Sequence, residues 1–245
     1  MSFVRAEYRN AILALLNNDE LGLLKPHLER VAIKGRDVLE APDLPIQYVY
    51  FIEEGMASVV AKMLRGRDRD IEVALIGREG MSGCALVQGD DRSPHHTSVQ
   101  FDGTAMRIGA ADFHDALLKS PSMQAKLNLY VRALGIQVVA TALAIGRFRL
   151  EQRLARWLVM AQDRLGGDRV ALTHEAMGEI LGVRRPGVTV ALHVLEGRGL
   201  IRSNRAEIII IDRDGLIGHA DGAYGLPERE YDRLLQKDRP QVAVV

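Results

Sequence analysis

The sequence predicts a mixed α+β chain in three parts: a β-rich N-terminal portion of barrel or sandwich type, a long helix, and a C-terminal pair of short helices followed by a hairpin. Three observations carry this reading. Short β-rich runs, set apart by turn residues, fill residues 31–108. An apolar pattern at helical spacing then runs from Pro121 to about Gly146. Finally, two short helical patterns meet at Gly182 inside a basic segment.

The chain has 245 residues, enough for one large domain or two small ones at roughly 100–200 residues each. With 47% hydrophobic and 26% charged residues, it has the composition of an ordinary globular protein, which excludes a disordered or collagen-like chain. No stretch approaches about 18 consecutive apolar residues, and the N-terminus MSFVRAEYRNAILALLNNDE shows no leader pattern. The expectation is a cytoplasmic protein without a membrane span. Cys84 is the single cysteine, which excludes an internal disulfide framework and a cluster held by four thiolates. Net charge is zero but unevenly spread. Residues 1–146 carry 16 Lys+Arg against 18 Asp+Glu, whereas residues 147–213 carry 12 against 8. Residues 181–206 hold five Arg and one Glu, a local basic patch of the kind a DNA-reading module needs.

Taken in order, residues 6–30 read as one or two short helices on Leu13, Leu16, Leu21, Leu24 and Leu28, with Pro26 marking a helix start. The β-rich runs are VAI (31–33), DVL (37–39), YVYFI (48–52), MASVVAK (56–62), IEVALI (71–76), TSVQF (97–101) and TAMRI (104–108). Turn signals separate them at Gly35, Pro45, Glu54-Gly55, residues 65–68, Gly77 and Asp102-Gly103. Many short strands at this spacing indicate a barrel or sandwich. A short helix follows over 110–119, and Pro121 opens the long one. Its stripe of Leu127, Val131, Leu134, Val138, Ala142 and Ile145 has more apolar length than one small barrel can cover, so a seam between two copies is expected. Residues 149–165 form another amphipathic helix, ended by Gly166-Gly167. Residues 227–236 read as a last helix and 242–245 as a tail.

The strongest local signal is THEAMGEILGVRRPGVTVALHVLEGRGLIR, residues 173–202. Thr173 is a helix cap, and Gly178 is small where two helices cross. Gly182 suits a turn that needs positive φ, and Pro186 suits the first turn of the next helix. Val188, Ala191, Leu192 and Leu195 fall at i, i+3, i+4 and i+7, a buried face. The opposite face offers Arg185, Pro186, Thr189, Val190 and His193, with Arg184 just before it. Such a helix suits a major groove, where an arginine donates two hydrogen bonds to a guanine. The hairpin IRSNRAEIIII reads as a wing with Asn204 and Arg205 at its tip. Candidate DNA contacts are therefore Thr173, Arg184, Arg185, Pro186, Thr189, His193, Asn204 and Arg205, and the partner is double-stranded DNA.

The order of barrel, long helix, helix-turn-helix and wing, with the phrases YVYFIEEGMASV, LIGREGMSG and LGVRRPGVTVALHVLEGRGLIR, resembles the Crp/Fnr superfamily of bacterial transcription regulators over roughly residues 10–215. The resemblance implies an α+β fold with a cyclic-nucleotide-binding-like sensor β-barrel of jelly-roll type (1–120), a dimerisation helix (121–146), a winged helix-turn-helix (147–215) and a C-terminal extension (216–245). It also implies a homodimer on a two-fold symmetric operator, with RNA polymerase as a further partner. The family's guanine-reading arginine matches Arg185, and its phosphate-touching threonine matches Thr173. Its following acidic residue is Pro186 here, and its second arginine is Val190. A signal at the barrel would be expected to re-aim the Arg185 helices through the long helix, with Gly146 as a hinge.

In the family's nucleotide-binding members a glycine turn leads to a glutamate for the ribose and an Arg-Ser/Thr pair for the phosphate. The glutamate position holds Cys84 here, and the Arg-Ser/Thr pair falls at His96-Thr97. The candidate effector pocket is Gly83, Cys84, Ala85, Arg92, His96 and Thr97, and the broken charge pattern speaks against cyclic AMP binding in the usual way. An unidentified small-molecule effector is compatible with the barrel. No cofactor or metal is expected: the adjacent His95 and His96 face opposite sides of a strand. His174-Glu175 begins like HExxH, but Gly178 stands at the second histidine position, and no P-loop or GxSxG setting occurs, so no enzyme is indicated. The alternative is a small-molecule sensor or partner-binding protein whose helix-turn-helix docks protein rather than DNA.

Overall fold

A computed structural model describes residues 8–62 and 70–235. Two capped helices open it. Asn10 caps α1 (Ala11–Leu15), and a reciprocal Asn17/Glu20 capping box starts α2 (Asn18–Leu24). Pro26 does not start a helix of its own length. It lies in a single 3₁₀ turn, Lys25–His27, and Leu28 is already extended.

The strands are β1 (Glu29–Ile33), β2 (Val38–Glu40), β3 (Tyr48–Ala61), β4 (Ile71–Ile76) and β5 (His96–Gly109). They form one antiparallel sheet in the order β1-β5-β3-β4, with β2 also on β5. Among the described residues the pairings do not close into a ring, so the expected barrel is an open sheet interrupted by bulges. The turns expected at Glu54-Gly55 and Asp102-Gly103 are absent, because both glycines lie inside 14-residue strands. Gly55 has φ +86°, and a Cβ there would stand 2.5 Å from the Phe101 carbonyl oxygen; at Gly103 it would stand 1.9 Å from that of Glu54. The two glycines allow β3 and β5 to approach at successive register shifts, and these bulges bend the sheet. Ile33, Leu39, Ile52, Ala57, Ile76, Val99 and Ala105 form the core inside the bend. The turn expected at residues 65–68 lies outside the described residues, as does the C-terminal tail.

A one-turn helix α3 (Cys84–Val87) and α4 (Ala110–Lys119) precede the long helix α5 (Pro121–Arg147). Ser120 caps α5 by accepting the Met123 N–H at 3.2 Å. The face laid on the sheet differs from the expected stripe. Met123, Leu127, Tyr130, Ala133, Gln137, Ala140 and Ala144 are buried, whereas Val131, Leu134 and Val138 are half-buried and Ala142 and Ile145 exposed. The alanines allow close approach, and Gln137 is held by β4: its Oε1 accepts from Leu75 N–H at 2.7 Å and its Nε2 donates to Leu75 O at 3.2 Å. Gly146 is still helical; the chain breaks at Phe148 and Arg149, both extended, so the bend falls after the expected hinge. By length and composition alone α5, in which an 18-residue stretch has a mean hydropathy of 1.6, is long and apolar enough to cross a membrane, a property that counting consecutive apolar residues missed.

The remainder is α6 (Leu150–Leu165), β6 (Arg169–Val170), α7 (His174–Leu181), α8 (Arg185–Gly197), β7 (Ile201–Asn204), β8 (Glu207–Ile210), α9 (Arg213–His219) and α10 (Leu226–Leu235). The three strands form a second sheet, β6-β8-β7. Helix α9 had no clear sequence pattern. Asp212 caps it, and Leu216 and Ala220 are fully buried with the α6–α8 core. Helix α10 lies along α5, with the Tyr231 hydroxyl donating to Glu79 O at 2.6 Å.

Candidate nucleic-acid interface

The helix-turn-helix is built as its residues demand. Thr173 accepts the Ala176 N–H at 3.2 Å and so caps α7. Gly182 closes α7 at φ +65°, a left-handed conformation that glycine adopts without steric cost. A Cβ on Gly178 would lie 2.8 Å from the Val183 carbonyl oxygen, so only glycine allows α7 to meet the turn this closely. Pro186 sits in the first turn of α8, and Val188, Ala191, Leu192 and Leu195 pack inward. These four buried side chains fix which face of α8 is left outside.

That outer face carries Arg184, Arg185, Pro186, Val190 and His193, all exposed. Arg184 occupies the cap position with its side chain making no cap bond, so both guanidinium groups project from the N-terminal end of α8. Thr189 is different. Its hydroxyl donates to the Arg185 carbonyl at 3.3 Å and meets His174 Nδ1 at 3.1 Å, so it braces α7 against α8 rather than facing outward. The wing is tied to α8 by Ser203 N–H donating to Glu196 at 2.8 Å. Asn204 and Arg205 are exposed at its tip, with Arg202 beside them. No ion pair among the described residues engages Arg184, Arg185, Arg202 or Arg205. A helix end bearing two free guanidinium groups and a cationic wing together offer what phosphates and guanine edges bind.

The candidate effector residues are brought together only in part. Gly83, at φ +76°, precedes α3, and its N–H donates to Glu40 Oε1 at 2.9 Å. The Thr97 side chain also hydrogen-bonds Glu40. Glu40 is buried, and burial raises its pKa above the ordinary carboxylate value. Burial likewise pushes the Cys84 thiol far up, keeping it protonated. His96 is half-buried beside Lys62, and burial holds its pKa down. Arg92 lies outside this group, exposed, donating to Asp43 O at 3.2 Å and pairing with Asp91 at 3.3 Å. Glu40 had no sequence signal beyond an acid at a strand end.

The joint between sheet and α6 is also polar. Glu72 of β4 accepts the Trp157 Nε1–H at 2.7 Å and a Ser58 hydroxyl, and burial raises its pKa to about 7.

A curved sheet, a long helix with one free apolar side and a winged helix-turn-helix with an arginine-tipped second helix define a two-part architecture. More narrowly, the chain has the fold of Crp/Fnr-type structures, with a Crp-like helix-turn-helix domain near its C-terminal end. Residues 152–218 match the family described as the Crp-like helix-turn-helix domain. The chain is similar in structure to a Crp/Fnr-family protein from Eubacterium rectale (TM-score 0.67, 18% identity, covering 84% of this chain and 96% of that one). It is likewise similar to FixK2 from Bradyrhizobium japonicum (0.66, 18%, 78% and 96%). A CRP-family transcriptional regulator of Thermus thermophilus is comparable (0.63, 18%, 80% and 98%). No curated protein matches by sequence.

Proposed function

We propose that the chain is a cytoplasmic homodimeric regulator that reads a two-fold symmetric DNA operator with Arg184 and Arg185, and touches the backbone with Thr173, Asn204 and Arg205. The observation that carries this reading is the outer face of α8: both arginines are exposed and free of ion pairs among the described residues, on a helix whose inner face is fixed by packing. Dimerisation is supported by α5. With its sheet-facing row accounted for, Ala125, Leu129, Arg132, Ile136, Val139, Leu143 and Gly146 remain on the other side, alternating by four and three as in a coiled-coil seam. Leu129, Val139 and Leu143 are 38%, 70% and 56% exposed. This accounts for the helix's hydropathy without a bilayer. In this reading an activating form also contacts RNA polymerase.

For the sensor part, Glu40 supports a reading without cyclic nucleotide. A buried carboxyl already takes the Gly83 N–H and the Thr97 side chain, so a second anion at those donors would face competition and, with Glu40 ionised, repulsion. The regulator reading is tested by titrating genomic DNA fragments with the full chain at several salt concentrations. It predicts enriched fragments and a log–log slope of about −0.9 per neutralised phosphate. Salt-independent binding, or capture of protein in place of DNA, would contradict it.

A further inference from the structure

We propose that the cavity enclosed by β4, α5, α6 and α10 binds a zwitterionic amino acid with an apolar side chain. The inference goes beyond the DNA-binding reading and stands independently of it. The cavity measures about 290 Å³. A water needs only about 10–15 Å³ of such space, and the smallest sites for small molecules are about 300 Å³. It is separate from the candidate effector pocket, no residue of which lines it. Its floor is apolar: Leu75 of β4 with Ala133 and Leu134 of α5. Gln137 beside them has its amide bonded to the Leu75 backbone. The C-terminal extension supplies the far wall through Tyr224, Glu228, Tyr231 and Asp232, so a segment without a sequence motif completes the site.

Three tyrosines stand around this floor with their hydroxyls already engaged. Tyr130 donates to Met81 O at 3.2 Å, Tyr231 to Glu79 O at 2.6 Å and Tyr224 to Asp163 at 2.7 Å. What they offer the cavity is ring surface, which packs against hydrocarbon and attracts an ammonium group. The phrase LIGREGMSG makes this arrangement possible. A Cβ on Gly77 would lie 2.6 Å from Arg164 Cγ, and one on Gly80 would run into the Tyr130 hydroxyl. The charged groups lie on two sides. Asp163 is already paired with Arg213 at 2.7 Å. Arg164, more than nine-tenths buried, lies 2.8 Å from Glu79, yet its Nε–H makes no hydrogen bond. Arg78 is exposed and forms no ion pair among the described residues. The Glu228 carboxyl accepts the Gly225 N–H at 3.0 Å, which fills one of about four lone-pair sites, and Asp232 lies one turn further along α10. A ligand carboxylate therefore finds Arg78 and Arg164, and an ammonium finds Glu228 and Asp232. A ligand of one sign would meet like charge at the opposite wall and lose affinity; a zwitterion answers both.

The test is calorimetric titration of the full chain with the standard amino acids, and with analogues of each binder that lack one charged group, such as isopentylamine and isocaproate for leucine. At least one apolar amino acid is expected to bind, and loss of either charge to weaken it about tenfold, as for a charge-assisted hydrogen bond. Arg78→Gln and Glu228→Gln should each weaken the amino acid by a similar factor with unchanged circular dichroism, since Arg78 is exposed and glutamine keeps an acceptor for the Gly225 N–H. The inference is overturned if no amino acid binds, if the amine or the carboxylate binds as tightly as the amino acid, or if either variant binds like the wild type.

Discussion

At the scale of single residues, the two arginines differ from the rest of the basic patch in having a rigid helix end beneath them. Arg185→Ala should weaken binding to the selected operator by about 1–3 kcal/mol and relax one base position per half-site, measured by fluorescence anisotropy against single-base variants. Loss spread evenly over all sequences would mean that Arg185 only touches phosphate. Glu72 gives a pH prediction. Its folded-state pKa, about 7, lies above the ordinary 4.5, so the folded chain holds a proton that the unfolded chain releases. Stability from this site is therefore lost as pH rises from 4.5 through 7, and changes little beyond. Glu72→Gln keeps an acceptor for Trp157 and removes the titration. Thermal melts between pH 5 and pH 8 should show the variant gaining on the wild type as pH rises. A constant difference would show that the carboxyl stays ionised throughout. These residues also show what a sequence reveals. Thr173, Gly178, Gly182 and Pro186 were legible because a cap, a close crossing, a positive φ and a first helical turn each demand a particular residue type. Glu40 and Glu72 were not, since what marks them is burial against distant strands.

At the scale of elements, the helix-turn-helix depends on a close approach that tolerates no added carbon. Gly178→Ala places a Cβ 2.8 Å from a backbone oxygen, and such crowding costs about 1–3 kcal/mol. The melting temperature should fall by roughly 2–4 °C per kcal/mol for a chain of this size; an unchanged melt would mean that the α7–α8 turn relaxes freely. Helix α5 gives the complementary case. Val139→Asp alters a side chain that is mostly exposed in the protomer, so circular dichroism should be unchanged, while light scattering should show the mass halved and operator binding lost. Retention of the dimer would place the seam elsewhere. The length of α5 was legible, but its face was not. An apolar helix with one row on the sheet and a second apolar row exposed has no single stripe for periodicity to find, and Gln137 packs inward because its amide pairs with the Leu75 backbone. Similarly, Gly55 and Gly103 resemble turn residues locally, but their role comes from the contact between β3 and β5.

At the scale of the whole molecule, the sheet, α5 and the winged unit form one connected structure. Trp157 reaches from α6 to Glu72 of β4. The α10 helix returns along α5, and Arg213 and Tyr224 both bond Asp163 at the end of α6. The order of these parts was readable from the change of period along the chain, from two in the strands to 3.6 in the helices. The return of α9 and α10 onto the core was not, because short helices with few apolar positions carry little periodic signal. The organisation matters for the proposed function because α8 is aimed by everything packed behind it, and in the proposed dimer two copies joined along α5 would set the distance between two such helices. A hydroxyl-radical footprint of the full chain on its selected operator measures that distance directly. The account predicts two protected patches on one face of the duplex, related by two-fold symmetry and separated by about 10–10.5 base pairs; a single patch, or two without symmetry, would contradict it.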